Sequence, residues 1–143
     1  MIIRYKGRSA FSGKASGIAL VCPESIQGWA GVSDKTGEII EHGHSQKGQS
    51  IDGRILVLPG SKGSNGWSCH FHSAKVSGFL PAGWIFNRMD SRAGVAVAVL
   101  GVPAVADFSE DLCALIRTGD FVTIDGDTGT VEIAREEKNG EDV

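Results

Sequence analysis

A glycine-rich loop carries the residues whose types and spacing are best suited to chemistry. The stretch from Arg54 to Ser68 predicts a strand, a loop that reads Pro-Gly-Ser-Lys-Gly-Ser-Asn-Gly, and the start of a helix. Glycines let a ligand approach the backbone, and a helix N-terminus presents unpaired N–H groups and the positive end of its dipole. The loop could therefore stabilise an anion or a developing alkoxide. An ordinary strand-to-helix turn is the structural alternative. The loop lacks the spacing of a P-loop.

Histidine and cysteine spacing gives no clear metal site. The histidines form two His-x-His pairs, which on a strand would share a face and could bind a metal. The context of His70 and His72 is predicted to be helical, where positions i and i+2 diverge, so we assign no metal. Cys22, Cys69 and Cys113 stand too far apart for a zinc or cluster motif or a disulfide framework. We expect them to be buried, reduced thiols.

Apolar runs separated by glycine-containing turns predict a mixed α/β fold. Strands are predicted at 18–22, 38–41, 54–58, 82–86, 102–106, 121–125 and 130–134. Residues 119–133 read as a hairpin, because turn residues separate the last two strands. Helices are predicted at about 67–77, 90–100 and 109–116, the last with Ser109 as N-cap. The second helix is ambiguous with a strand, because valines alternate with alanines in it. Helices between strands favour a layered α/β domain.

Length and composition suit one ordinary domain. The chain has 143 residues, of which 41% are hydrophobic, 22% are charged and 20 are glycine. A net charge of -3 supplies no basic field, so we expect no nucleic-acid partner. The longest apolar stretch, 94–106, is too short to cross a bilayer, and the N-terminus lacks a signal-peptide pattern. We therefore expect a cytoplasmic protein without a membrane partner. The domain is predicted to span 1–134, with a disordered polar tail at 135–143.

A series of short segments gives the chain a resemblance to a known family. They lie at 13–17, 29–32, 36–40, 48–51, 53–59, 62–64, 78–82 and 101–105, with His44 ahead of the fourth and Ser68 after the sixth. In this order they resemble the swivel domain, or small subunit, of the aconitase X family. The resemblance implies a single, glycine-rich swivelling α/β domain, in which helices flank a layered sheet or a barrel. Members resemble aconitase, which removes water from a hydroxy acid with an iron–sulfur cluster as Lewis acid and a swivel-domain serine as base. Two activities are associated with the family: dehydration of cis-3-hydroxy-L-proline in bacteria and of mevalonate 5-phosphate in archaea.

The resemblance implies roles for individual residues. Ser64 matches the first serine of the family's motif and is the predicted base. Lys62, Gly63, Asn65 and His44 are predicted to contact the substrate, although a structural role is the alternative for His44. A serine hydroxyl does not lose its proton readily near pH 7, so the site must stabilise the anion. Lys62 and the following helix N-terminus are the local sources of such a field, although family members often have arginine in place of Lys62.

Ser68 matches the last serine of the motif. We expect it to cap or pack the helix rather than to react, so that its replacement by alanine costs about 1 kcal/mol of stability.

The resemblance also implies a large partner subunit. The family places the cluster and much of the pocket there, and this chain lacks cluster-ligand spacing. We therefore expect the small subunit of a hydro-lyase, inactive alone, with the iron–sulfur cluster on the partner. We favour cis-3-hydroxy-L-proline as substrate, because the loop lacks extra basic residues for a phosphate, and mevalonate 5-phosphate is the alternative.

Two other classes of function remain open. One is a swivelling phosphohistidine carrier, which segments 100–105, 117–126 and 129–133 resemble. Such carriers need a Thr-x-His motif before a helix, whereas His70 follows Ser68 and Cys69. The other is an interaction domain without an active site.

Overall fold

The computed structural model describes residues 1–27, 31–62 and 67–135, which form eight strands and three helices. The strands are β1 (Ile2–Lys6), β2 (Arg8–Phe11), β3 (Lys14–Val21), β4 (Ile55–Leu58), β5 (Gly83–Phe86), β6 (Ala104–Ala106), β7 (Phe121–Asp125) and β8 (Thr130–Ala134). The helices are α1 (Cys69–Val76), α2 (Ser91–Leu100) and α3 (Leu112–Leu115). In these parts of the chain, no helix is long and apolar enough to cross a membrane.

One mixed sheet contains all eight strands in the order β1-β8-β7-β3-β4-β5-β6-β2. Strands β3 to β6 run parallel, and the remaining pairs are antiparallel. Strands β1 and β2 lie at opposite ends of this order but are separated in sequence by Gly7 alone. The sheet must therefore curl until its ends approach each other. Gly7 has no room for a side chain, because a Cβ there would lie 2.5 Å from the carbonyl oxygen of Ala106.

The two faces of the parallel strands support two parts of the core. In β4, Leu56 and Leu58 pack towards α1 and α2, whereas Ile55 and Val57 pack towards α3 and the antiparallel strands. This alternation follows from the twofold side-chain periodicity of a strand. All residues of β4 and β5 are buried, as expected for parallel strands covered on both faces. Because both clusters share one sheet, the structure confirms a single α/β domain.

Helix α2 resolves the ambiguity that its alternating valines and alanines created. Its buried residues, Ala93, Ala96, Val97 and Leu100, follow the spacing of one helical face. Asp90 caps the helix by accepting a hydrogen bond from the Ala93 backbone N–H at 2.9 Å. The helix ends at Leu100, and the following residue, Gly101, has a φ of 68°, the left-handed conformation that glycine favours.

Most predicted elements are confirmed, with three corrections. Segment 38–41 is not a strand: Glu38 and Ile39 make only isolated bridges, because this segment lies outside the sheet and its apolar pattern reflects one buried isoleucine. Helix α3 is capped by Asp111 rather than Ser109, because the Asp111 carboxylate accepts a bond from Cys113 N. Strands β1 and β2 were not predicted.

The hairpin is confirmed as β7–β8. The proposed tail, apart from Arg135, lies outside the described residues.

Candidate active site at the carboxyl ends of the parallel strands

The carboxyl ends of the parallel strands bring several loops together. Residues 22–25 follow β3, residues 59–62 follow β4, and residues 87–90 follow β5. In α/β sheets, ligands bind outside these ends, where neighbouring loops form a crevice. The first half of the predicted glycine-rich loop therefore lies where the fold favours a binding site.

Ser25 and Asp90 hold the start of this loop from two sides. The Ser25 hydroxyl donates to the carbonyl oxygen of Gly60 at 2.6 Å. The Asp90 carboxylate accepts from the Ser61 backbone N–H at 2.8 Å while its other oxygen caps α2. A Cβ on Gly60 would lie 2.9 Å from that carboxylate, so glycine permits the close approach. The loop start is thus bound both to the β3 loop and to α2.

Asp90 remains a carboxylate in this setting. Burial would by itself raise the pKa of Asp90, but hydrogen bonds from the backbone N–H groups of Ala93, Ser61 and Arg92 outweigh that effect. The pKa of Asp90 consequently lies below its ordinary value. The loop is therefore anchored by a charged acceptor, which makes stronger hydrogen bonds than a neutral one.

Lys62 forms an ion pair with Glu41. Its ammonium donates to one carboxylate oxygen of Glu41, and the other oxygen accepts from the Gln27 backbone N–H at 2.5 Å. Lys62 is 38% exposed by its side chain, whereas Glu41 is only 9% exposed. The positive charge predicted beside the loop is therefore largely balanced by a buried carboxylate.

His44 is buried and uses both ring nitrogens within the protein. Its Nδ1 accepts from the Gln46 backbone N–H at 2.9 Å, which leaves the proton on Nε2. Nε2 then donates to the carbonyl oxygen of Ser25 at 2.6 Å. These contacts favour the structural role for His44, since a substrate would have to displace one of them. Its contact with substrate stays a prediction.

Ser68 occupies the N-cap position of α1, as expected from the sequence. Its side chain makes no capping hydrogen bond, and its backbone is already helical, with φ of -76° and ψ of -15°. A cap normally has an extended backbone that lets the side-chain oxygen reach back to the first turn. The stabilisation expected from capping is therefore reduced.

The remaining predicted site residues, Gly63, Ser64 and Asn65, lie outside the described residues. The structure describes the residues on either side. Lys62 follows the loop start that Ser25 and Asp90 hold by hydrogen bonds. Trp67 is fully buried, and its indole N–H donates to the carbonyl oxygen of Ile26 at 2.7 Å. The roles predicted for the three residues stay predictions.

Metal ligands are not grouped in the part of the chain that is described. No cluster of three or more histidine, cysteine, aspartate or glutamate residues there could hold a metal ion. Cys22 is buried and Cys113 is half-buried, but Cys69 is exposed on α1, so the expectation of buried thiols is wrong for Cys69. The reason is that α1 buries its other face, through Phe71 and Ala74. The cysteines, histidines and carboxylates of the described residues therefore do not form a ligand set for an iron–sulfur cluster.

Several residues of the site were missed from the sequence. Asp90 and Ser25 could have been suspected, because they follow strands adjacent to β4 in a parallel arrangement. Arg92 lies with Ser68 and Ser91 in the wall of a cavity of about 230 Å³ between the starts of α1 and α2. Nothing in the sequence pointed to Glu41, which lies in a loop.

The mixed sheet, with the start of the glycine loop at the carboxyl ends of its parallel strands, defines a single α/β domain. Residues 4–133 match the family model described as the aconitase X swivel domain. The chain therefore belongs to the aconitase X swivel domain family, which confirms the resemblance drawn from its motifs.

Relatives and solved structures agree with this assignment. The chain is 33% identical over 132 residues to the phosphomevalonate dehydratase small subunit of Methanocella arvoryzae, covering 92% of this chain and 100% of that protein. It is 33% identical over 131 residues to that of Archaeoglobus fulgidus, covering 92% and 98%. Holo-form aconitase X of Thermococcus kodakaraensis superposes with a TM-score of 0.85 at 29% identity, covering 93% and 99%. A UPF0107 protein solved by NMR gives 0.82 at 32% identity, covering 93% and 100%.

Proposed function

We propose that this chain is the small subunit of a dehydratase that removes water from mevalonate 5-phosphate together with a large subunit. The observation that carries the proposal is the similarity, over almost the full length of both proteins, to relatives named phosphomevalonate dehydratase small subunit. A shared fold alone would not justify a shared substrate, but the similarity also extends across the segments that border the candidate site.

The substrate in this proposal differs from the one favoured by the sequence. We favoured cis-3-hydroxy-L-proline because the loop lacks extra basic residues. The fold brings Arg92, which is distant in sequence, to the cavity that Ser68 also lines. Since arginine is well suited to phosphate, the shortage of basic residues in the loop no longer argues against a phosphorylated substrate. The names of the relatives also favour mevalonate 5-phosphate.

Ser64 is the proposed base on this chain. Its deprotonated oxygen would take the proton from the carbon next to the substrate carboxylate. The C–H electron pair would form the new C=C bond, and the hydroxyl group would leave from the adjacent carbon. In the sequence, Ser64 stands between Lys62 and Ser68, the N-cap residue of α1. Because Lys62 is paired with Glu41, we propose that the N-terminus of α1, the helix that follows in sequence, also stabilises the serine oxyanion.

The large subunit completes the proposed enzyme. The relatives are named small subunits, which implies a larger partner. The iron–sulfur cluster that the family resemblance implies is assigned to that partner, where it would act as the Lewis acid for the departing hydroxyl. This chain would contribute the base, the loop that carries it and part of the wall of the pocket.

Reconstitution tests the proposal. The purified chain is mixed with the large subunit encoded in the same genome, and water loss is measured with both candidate substrates. We expect no turnover by this chain alone, and a kcat/KM for mevalonate 5-phosphate that exceeds the value for cis-3-hydroxy-L-proline by at least about 10-fold. A reversed preference would contradict the substrate assignment. Absence of dehydration, with histidine phosphorylation by phosphoenolpyruvate instead, would favour the carrier function.

A further inference from the structure

Glu41 joins two chain positions that are distant from each other in sequence. Its carboxylate bonds the backbone N–H of Gln27, which precedes residues 28–30, and the ammonium of Lys62, which precedes residues 63–66. These contacts span 14 and 21 positions of sequence. A single side chain therefore ties the entrance of the glycine–serine loop to a separate loop.

The burial of Glu41 makes this arrangement specific. A buried carboxylate is costly unless it is paired and hydrogen-bonded, and both oxygens of Glu41 have such partners. The segment that carries Glu41 is itself anchored, because Ile39 is fully buried and the Ile40 backbone N–H donates to the carbonyl oxygen of Gly31 at 2.9 Å. The position of the Glu41 carboxylate is thus set by the anchored segment that carries it.

The ion pair leaves the ammonium able to meet a ligand. An ammonium has three N–H donors, of which Glu41 takes one. More than a third of the Lys62 side chain is exposed, in contrast to Glu41. A lysine fixed in this way has already lost the rotamer freedom that an unanchored lysine would lose on binding an anion.

We propose that Glu41 is a positioning residue, which holds the Lys62 ammonium where it binds an anionic group of the substrate. The inference rests on the proposed function, because it takes Lys62 to be a substrate-binding residue. Glu41 itself does not touch the substrate. A purely structural Glu41, which only ties Gln27 into place, is the alternative.

A double-mutant cycle separates these two roles. Glu41→Gln, Lys62→Met and the double variant are each assembled with the large subunit. The side-chain amide that Glu41→Gln introduces can still accept the bond from Gln27 but no longer holds the ammonium by charge. We expect each single variant to raise KM about 10-fold with kcat nearly unchanged, and the double variant to be no worse than the worse single variant. Independent effects that multiply, or an unchanged KM in Glu41→Gln, would overturn the proposal.

Two additions keep the outcome decisive. The ammonium signal of Lys62 is followed by NMR in the isolated chain, where the ion pair should slow its hydrogen exchange and Glu41→Gln should abolish that protection. If Glu41→Gln fails to fold, Glu41→Asp, whose shorter side chain cannot reach both partners, should give the same rise in KM. Unprotected Lys62 in the unmodified chain would overturn the proposal. Inactivity of the unmodified, assembled enzyme on both substrates would instead contradict the proposed function.

Discussion

At Ser25 the backbone adopts a φ of 61°, a left-handed conformation that residues other than glycine rarely take. Ser25 is buried, its hydroxyl donates to Gly60, and its carbonyl oxygen accepts from His44. Strained conformations persist only where surrounding contacts stabilise them, and they occur preferentially at functional sites. The site therefore depends on a residue that does no chemistry itself.

Ser25 and Ser68 form a matched pair for a stability test. Ser25→Ala removes a buried hydrogen bond and leaves the Gly60 carbonyl without that donor, so we expect the free energy of unfolding to fall by about 1–2 kcal/mol. Ser68→Ala should change it by less than about 0.5 kcal/mol, because that side chain makes no capping bond. Urea unfolding of both variants gives the two values. Equal losses would mean that the Ser25 bond is not important for stability.

The three cysteines should differ in reactivity. Burial raises the pKa of Cys22, and the nearby carboxylate of Glu24 raises it further. Burial also raises the pKa of Cys113, to about 12. Cys69 is exposed, so an alkylating reagent can reach its sulfur. Alkylation of the native chain near pH 8, followed by mass spectrometry, should modify Cys69 first. Faster labelling of Cys22 than of Cys69 would contradict the burial of Cys22.

At the scale of elements, Asp120 connects the turn before β7 to the end of β8. Its carboxylate accepts two bonds from the Arg135 guanidinium, at 2.6 and 3.1 Å, and one from the Arg117 backbone N–H at 2.9 Å. Burial alone would raise the pKa of Asp120, but these bonds outweigh it and lower the pKa below its ordinary value. The contacts of Asp120 thus tie the turn before β7 to Arg135, the residue that follows β8.

A pH dependence of stability follows from the sign of this shift. The pKa of Asp120 is lower in the folded than in the unfolded chain. The stabilisation that the Asp120 carboxylate contributes to folding is therefore fully present above the ordinary aspartate pKa of about 3.9. This stabilisation is lost as the pH falls through the lower pKa of the folded chain. Asp120→Asn should therefore lower the melting temperature at pH 7 and flatten its decline below about pH 4. The exposed Asp34 provides the control variant, Asp34→Asn. If the melting temperature of Asp120→Asn fell with decreasing pH as steeply as that of the unmodified chain, the role assigned to Asp120 would be contradicted.

At the scale of the whole molecule, the sequence predicted the central strands but not the edges. Strand β4 was recognisable as a continuous apolar run, and the β7–β8 hairpin from its turn residues. Strands β1 and β2 carry charged residues at alternate or terminal positions, such as Arg4 and Arg8, and their partners β8 and β6 lie far away in sequence. Their pairing depends on the order of all eight strands in the sheet, which no local pattern encodes.

The candidate site was predictable only in its local part. The glycine–serine loop stands out as one continuous motif with a physical use. Its supports do not: Asp90 bonds the loop across 29 positions and Glu41 across 21. Such contacts depend on which loops follow adjacent strands, and the sheet order had to be known first. The same reason explains why the basic residue Arg92 was not considered for substrate binding.

The turnover of Ser64→Ala, measured in the enzyme assembled with its large subunit, tests the central claim most directly. If Ser64 is the base, kcat should fall by at least about 10²-fold with KM little changed, because the hydroxyl is needed only for proton transfer. Ser68→Ala, measured beside it, should keep kcat within a few-fold of the unmodified enzyme. Near-normal turnover by Ser64→Ala on both candidate substrates would contradict the claim and would place the base elsewhere.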